Sequence, residues 1–117
     1  MSDSDYKVAM FLPAEEVERR FKALGLPGRV NEELLPRILD MRQGCDQGDP
    51  RGVVQFVALA LTGYIDQEVF VPRLAMTILL DMPRIIRCLI DDQEIIDQST
   101  PFVDDYLSHM RKHLFES

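Results

Sequence analysis

The chain has 117 residues, the length of one small domain, and its 46% hydrophobic content supports a core and excludes a disordered tail. A formal net charge of −7 without a long Lys/Arg cluster argues against direct nucleic-acid binding. No apolar run reaches the about 18 residues of a membrane span. The polar start MSDSDYK lacks signal-peptide features, so we expect a cytoplasmic protein with two reduced thiols, Cys45 and Cys88.

The chain begins with a predicted arm and a first helix. Residues 1–12 form the arm, which is flexible or extended and either covers the core or reaches a partner. Pro13 then opens a helix over 13–24, because a proline in the first turn loses no intrahelical hydrogen bond. Gly25 ends this helix.

Two further helices are predicted in the middle of the chain. The first covers about 32–43 with Asn31 as its N-cap, and Pro36 moves its start toward Leu35 because proline belongs in a first turn. In the second, over about 50–65, Asp49-Pro50 supplies the cap and the first residue. That helix is apolar nearly all round, which predicts a buried central helix or one shared between subunits.

The second half of the chain predicts shorter helical segments and a well-specified final helix. An apolar segment covers 72–80, a helix covers about 82–90, and Ile95-Ile96 forms one helical turn. Thr100-Pro101 serves as cap and first residue of the last helix, whose acids and bases match the helix dipole. No alternating strand pattern occurs. We therefore predict a single all-α domain over 1–117, a compact bundle of five to six helices.

No motif predicts catalysis, metal binding or a cofactor. Asp105, His109 and His113 share a helical stripe, but the further ligand and glutamate of a zinc protease site are missing. The paired carboxylates fall at helix starts and joints, where they cap helices or complement dipoles. Cys88 is expected to be a buried small hydrophobe, and Cys45 lies beside an acid that disfavours the thiolate. The protein is therefore predicted not to be an enzyme.

The apolar content, by contrast, exceeds what one small core needs. Several Met and aromatic residues fall near chain ends and joints, where complete burial is difficult, and such residues favour adaptable interfaces. The alternative is that they close the core. We predict a homodimer and a further protein partner, and we assign partner contacts to six residues: Phe11, Phe70, Tyr106, Met110, Leu114 and Phe115.

The sequence resembles the small helical anti-activators of LuxR-type quorum-sensing regulators, the QslA type. The resemblance lies in size, acidity, the all-helical plan and the run Thr100-Pro101-Phe102-Val103-Asp104-Asp105-Tyr106-Leu107 that leads to Leu114-Phe115. It implies a protein that binds the ligand-binding domain of a transcription regulator and blocks its dimerisation without contacting DNA.

Two other classes remain open. An immunity protein that neutralises a basic toxin is also small, acidic and helical. An enzyme subunit or a bundle that encloses a small apolar ligand would use the apolar helices to line a pocket.

Overall fold

The predicted all-α architecture is present in the computed structural model, which describes residues 7–26, 28–67 and 72–115. This part of the chain folds into a compact bundle of six helices with one antiparallel pair of two-residue strands. The elements in chain order are β1 (Ala9–Met10), α1 (Ala14–Ala23), α2 (Gly28–Gln43), β2 (Gln47–Gly48), α3 (Pro50–Gln67), α4 (Pro72–Leu79), α5 (Met82–Leu89) and α6 (Gln93–Phe115).

Local signals set the end of α1 and the start of α3, as predicted. Gly25 follows α1 with a φ of 73°, a left-handed conformation that glycine adopts without steric cost. At the start of α3 the Asp49 carboxylate accepts a hydrogen bond of 2.6 Å from the backbone N–H of Gly52, which is an N-cap. Both boundaries therefore follow from residues within one helical turn.

The predicted start of α2 is wrong. The helix begins at Gly28, so Asn31 lies inside it and is not its N-cap, and Pro36 lies in the helix interior. Burial of Val30 and Leu34 supports the additional first turn. Pro36 is exposed, so water can replace the N–H that proline does not supply.

The predicted start of the last helix is also wrong. Thr100-Pro101 lies inside α6, which begins several residues earlier and includes the segment predicted as a single turn at Ile95-Ile96. The Asp92 carboxylate caps α6 by accepting hydrogen bonds from the N–H groups of Glu94 and Ile95 at 3.1 and 3.3 Å. One side of α6 is buried along its length, so tertiary packing outweighs the local effect of proline. Its buried residues are Ile95, Ser99, Val103, Met110 and Leu114.

The buried apolar residues form one cluster to which every helix contributes. Helix α3 is central, with Val53, Val57 and Leu61 fully buried. However, α3 is not buried on every side, because 63% of the Leu59 surface is exposed. One face of the most apolar helix is therefore open to solvent. The predicted alternative, a helix shared between subunits, stays a prediction.

Residues 7–12 of the arm are tied to the fold. Ala9 pairs with Gly48 and Met10 with Gln47, and the Leu12 N–H donates a 2.8 Å hydrogen bond to the Leu89 carbonyl oxygen. Of the roles predicted for the arm, residues 7–12 therefore take that of covering the core, where Phe11 is buried. Residues 1–6 lie outside the described residues.

Arg42 holds the end of this arm from α2. Its guanidinium donates hydrogen bonds to the carbonyl oxygens of Leu12 at 3.0 Å and Phe11 at 3.4 Å, and to the Asp46 carboxylate at 3.0 Å. Its guanidinium carbon also lies 5.9 Å from the centre of the Phe11 ring. The arm is therefore fastened by backbone pairing, charge and ring contact together.

Ion pairs also join the arm and α1 to the α5–α6 joint. Lys7 lies 2.7 Å from the Asp92 carboxylate, and Arg20 pairs with Glu16 at 2.7 Å and with Asp91 at 3.3 Å. Hydrogen bonds from Arg19 and Arg20 lower the pKa of Glu16 to about 2. These charges already have partners within the chain, which distinguishes them from the charges on α6 described below.

Candidate functional site

A groove of about 560 Å³ lies between α3 and α6. We call it the α3–α6 groove. It is open to solvent, and charged, polar and apolar side chains contribute to it. Its lining residues are Arg51, Val54, Gln55 and Ala58 from α3, and Phe102, Asp105, Tyr106 and His109 from α6.

Two aromatic side chains on α6 contribute the ring surface of the groove, and α3 holds both. The Tyr106 hydroxyl lies 2.6 Å from Thr62 Oγ1 and donates a longer hydrogen bond of 3.4 Å to the Ala58 carbonyl oxygen. The guanidinium carbon of Arg51 lies 5.4 Å from the centre of the Phe102 ring, within cation–π range. The two helices therefore fix the aromatic wall of the groove before anything binds.

Charges of both signs line the groove. Arg51 and Asp105 are exposed, and neither forms an ion pair among the described residues. His109 is also exposed. Exposed charges of both signs in an open groove can pair with charged groups of a bound molecule.

Exposed apolar and acidic side chains also occur elsewhere on α3 and α6. Leu59 projects from α3 one residue beyond Ala58. Along α6, four exposed carboxylates have no ion-pair partner among the described residues. They are Glu94, Asp97, Asp104 and Asp105. Of these four, only Asp105 lines the groove.

Of the six residues predicted to contact a partner, only Tyr106 lines the groove. Phe11, Met110 and Leu114 are buried in the core, so their assignment as exposed contacts is corrected. Phe115 is 49% exposed at the end of α6. Phe70 lies outside the described residues.

The sequence interpretation missed most of the groove. Arg51, Gln55 and Leu59 are exposed at intervals of four residues, which places them on one stripe of α3. Two polar residues at this spacing in an otherwise apolar helix mark the solvent side, and they could have identified Leu59 as exposed. From the sequence alone, the helical spacing of Asp105 and His109 suggests metal ligands and not the wall of a groove.

The two cysteines differ in accessibility. Burial raises the pKa of the Cys88 thiol to about 11, whereas Cys45 is partly exposed. At pH 8 roughly one thousandth of Cys88 is therefore thiolate, the reactive form. We expect iodoacetamide to label Cys45 in the native protein and to label Cys88 only after denaturation, as measured by mass spectrometry of tryptic peptides. Equal labelling of both thiols in the native protein would contradict the burial of Cys88.

Neither a metal site nor a membrane-spanning helix occurs in the described parts of the chain. No group of three or more His, Cys, Asp and Glu side chains there could hold a metal ion. No helix among the described residues combines the length and apolarity needed to cross a bilayer.

Comparison of the chain with protein-family models, with curated proteins and with solved structures finds no match. The resemblance to small helical anti-activators thus remains a prediction.

Proposed function

We propose that this protein is a non-enzymatic cytoplasmic regulator that binds a helical segment of a partner protein in the α3–α6 groove and thereby inhibits that partner. The observation that supports the proposal is the groove itself, with its aromatic side chains fixed by α3 and the unpaired charges of Arg51 and Asp105. Fixed aromatic surface and charges without partners are suited to binding.

A helix is the occupant that best fits the shape of the site. The groove lies between two long helices, α3 with 18 residues and α6 with 23. A helical segment can place apolar side chains at intervals of three and four residues into a groove of this kind. Val54, Ala58 and Tyr106 would contact them.

The overall charge of the protein favours a partner helix with a basic flank. Asp105 in the groove, three further exposed carboxylates on α6 and the net charge of −7 attract cationic surfaces and accelerate association with them. Arg51 would pair with a single acidic group on the same segment.

Inhibition follows if the bound segment is one that the partner needs for its own assembly. Transcription regulators that dimerise through helices present such segments, and a groove that accepts one competes directly with dimerisation. We therefore propose an anti-activator as the most specific form of this function, in agreement with the resemblance noted from the sequence.

The acidic surface of α6 also supports a second candidate, an immunity protein that neutralises a basic toxin. Such proteins need complementary charge more than a groove. A small apolar ligand is less compatible with the site, because Arg51, Gln55, Asp105 and His109 line an open groove.

The test is a substitution that fills the groove. Ala58→Glu places a charged side chain at its partly buried wall, and Ala14→Glu makes the same change on the exposed surface of α1. We expect a specific protein from a native lysate to be retained by the wild type and Ala14→Glu but lost with Ala58→Glu. Once purified, that protein should lose its dimerisation, or its toxicity for the second candidate, when the wild-type chain is added.

Two outcomes would contradict the proposal. One is retention of the same proteins by all three chains. The other is co-purification of a small apolar ligand that Ala58→Glu displaces. Circular dichroism of each variant establishes that helicity is unchanged.

A further inference from the structure

We propose that, before a partner binds, the open face of α3 and the adjoining groove are covered by a second copy of this chain in a two-fold symmetric dimer. The proposal rests on the same groove as the proposed function, but it concerns the protein alone. Four observations support it: the arrangement of exposed residues on α3, the space beside them, the local balance of charge, and the exposure of Leu59.

The exposed stripe of α3 has Gln55 at its middle. Arg51, Gln55 and Leu59 are exposed at intervals of four residues, so Arg51 and Leu59 lie about 6 Å along the helix on either side of Gln55. A two-fold axis through Gln55 pairs two α3 helices antiparallel. It sets Leu59 of each copy against the aliphatic part of Arg51 in the other.

Gln55, the residue on the axis, can form hydrogen bonds with Gln55 of the second copy. A glutamine amide carries both donors and an acceptor, so two Gln55 side chains related by the axis satisfy each other. Such self-complementarity is what an isologous interface requires, since the same patch faces itself. Ala58, on the groove side of the stripe, leaves space for the arriving side chains.

The local charge favours association of two copies through this face rather than through the rest of the acidic surface. With a net charge of −7, two copies repel one another in general. The groove, however, contains one cation and one anion, Arg51 and Asp105, and neither has an ion-pair partner within the described residues. The two-fold axis brings Arg51 of each copy toward the groove wall formed by Asp105 in the other, which makes two identical ion pairs.

Exposure of Leu59 supplies the apolar part of the interface. Leu59 has 63% of its surface in water, so its burial by a second copy removes apolar area from water and stabilises the dimer. Both copies contribute this side chain, so the gain is doubled by symmetry.

The test reverses each of the two charges in a separate variant. Arg51→Asp and Asp105→Arg are made separately, with Arg73→Asp on α4 and Asp104→Arg on α6 as controls. Both control residues are exposed and do not line the groove. Each control substitution changes the net charge by the same amount as the groove substitution that it matches. Sedimentation velocity of the pure proteins is measured at tens of micromolar, an ordinary range for such dimers.

We expect the wild type and both controls to be dimeric and each groove variant to associate at least roughly tenfold more weakly, because like charges then oppose each other. Mixing the two groove variants in equal amounts should restore a dimer. In that mixture the carboxylate introduced at position 51 of one variant faces the guanidinium introduced at position 105 of the other. The remaining native pair, Arg51 and Asp105, forms at the symmetry-related place. Rescue by mixing cannot arise from misfolding of either variant.

A monomeric wild type would overturn the dimer. Dimeric groove variants, or a mixture that stays monomeric, would overturn the interface proposed for it. These results leave the partner test with Ala58→Glu unaffected. Conversely, a dimer that behaves as expected while the groove retains no partner would refute only the proposed function.

Discussion

Replacing Phe11 with Ala is expected to lower the free energy of unfolding by about 3–5 kcal/mol, the usual cost of removing a buried phenylalanine ring. Only 3% of the Phe11 surface is exposed, and its ring meets Phe56 edge to face with a centroid separation of 5.2 Å. Gly48 packs so closely on the ring that an added Cβ there would lie 3.1 Å from it. The substitution would also remove the contact between the ring and the Arg42 guanidinium, while the hydrogen bond from Arg42 to the backbone carbonyl oxygen stays possible.

Met10 supplies the control because it precedes Phe11 in the same arm and is 63% exposed. Met10→Ala should change stability by no more than about 0.5 kcal/mol. Urea denaturation followed by circular dichroism measures both variants. If Phe11→Ala proves as stable as Met10→Ala, the ring is not a core residue and its prediction as a partner contact regains support.

The second large effect is expected at the end of α6. Leu114 is 8% exposed, so Leu114→Asp places a carboxylate among apolar neighbours and should destabilise the protein by about 3 kcal/mol. Phe115→Asp introduces the same charge at the same helix end but in a half-exposed position. Both variants experience the same unfavourable helix dipole, so the difference between them reports burial.

Thermal and urea denaturation of the two variants measure this difference. We expect Phe115→Asp to stay within about 1 kcal/mol of the wild type. Equal destabilisation by both substitutions would place Phe115 in the core as well. Equal stability would show that Leu114 is exposed in solution, contrary to the structure.

The sequence identified the helices where their signals are local. Asp49-Pro50 and Gly25 act within one turn of the chain, so the start of α3 and the end of α1 were predictable. The same local reasoning was wrong at Pro36 and at Thr100-Pro101. There a buried stripe that continues through the proline offsets one missing hydrogen bond, and the burial depends on other helices.

The burial of side chains in the arm also depends on other parts of the chain and could not be predicted from local sequence. A short apolar stretch near the chain start fits a partner-binding arm and a covering strand equally well. Only the tertiary structure reveals that Gly48, Phe56 and Arg42, all distant in sequence, enclose Phe11. The burial of Met110 and Leu114 could not be predicted for the same reason, since an apolar stripe on a helix fits a core and an interface equally well.

By itself, the sequence determined that this is a small acidic all-α protein, because composition, helix periodicity and capping residues act locally and were sufficient for that conclusion. The tertiary structure alone decided which apolar residues stay in water and where a groove opens. Arg51 and Phe102 meet although they are far apart along the chain, and Tyr106 reaches Thr62 from another helix. Which helices lie side by side depends on the packing of the whole core, and that packing leaves Leu59 and the α3–α6 groove exposed.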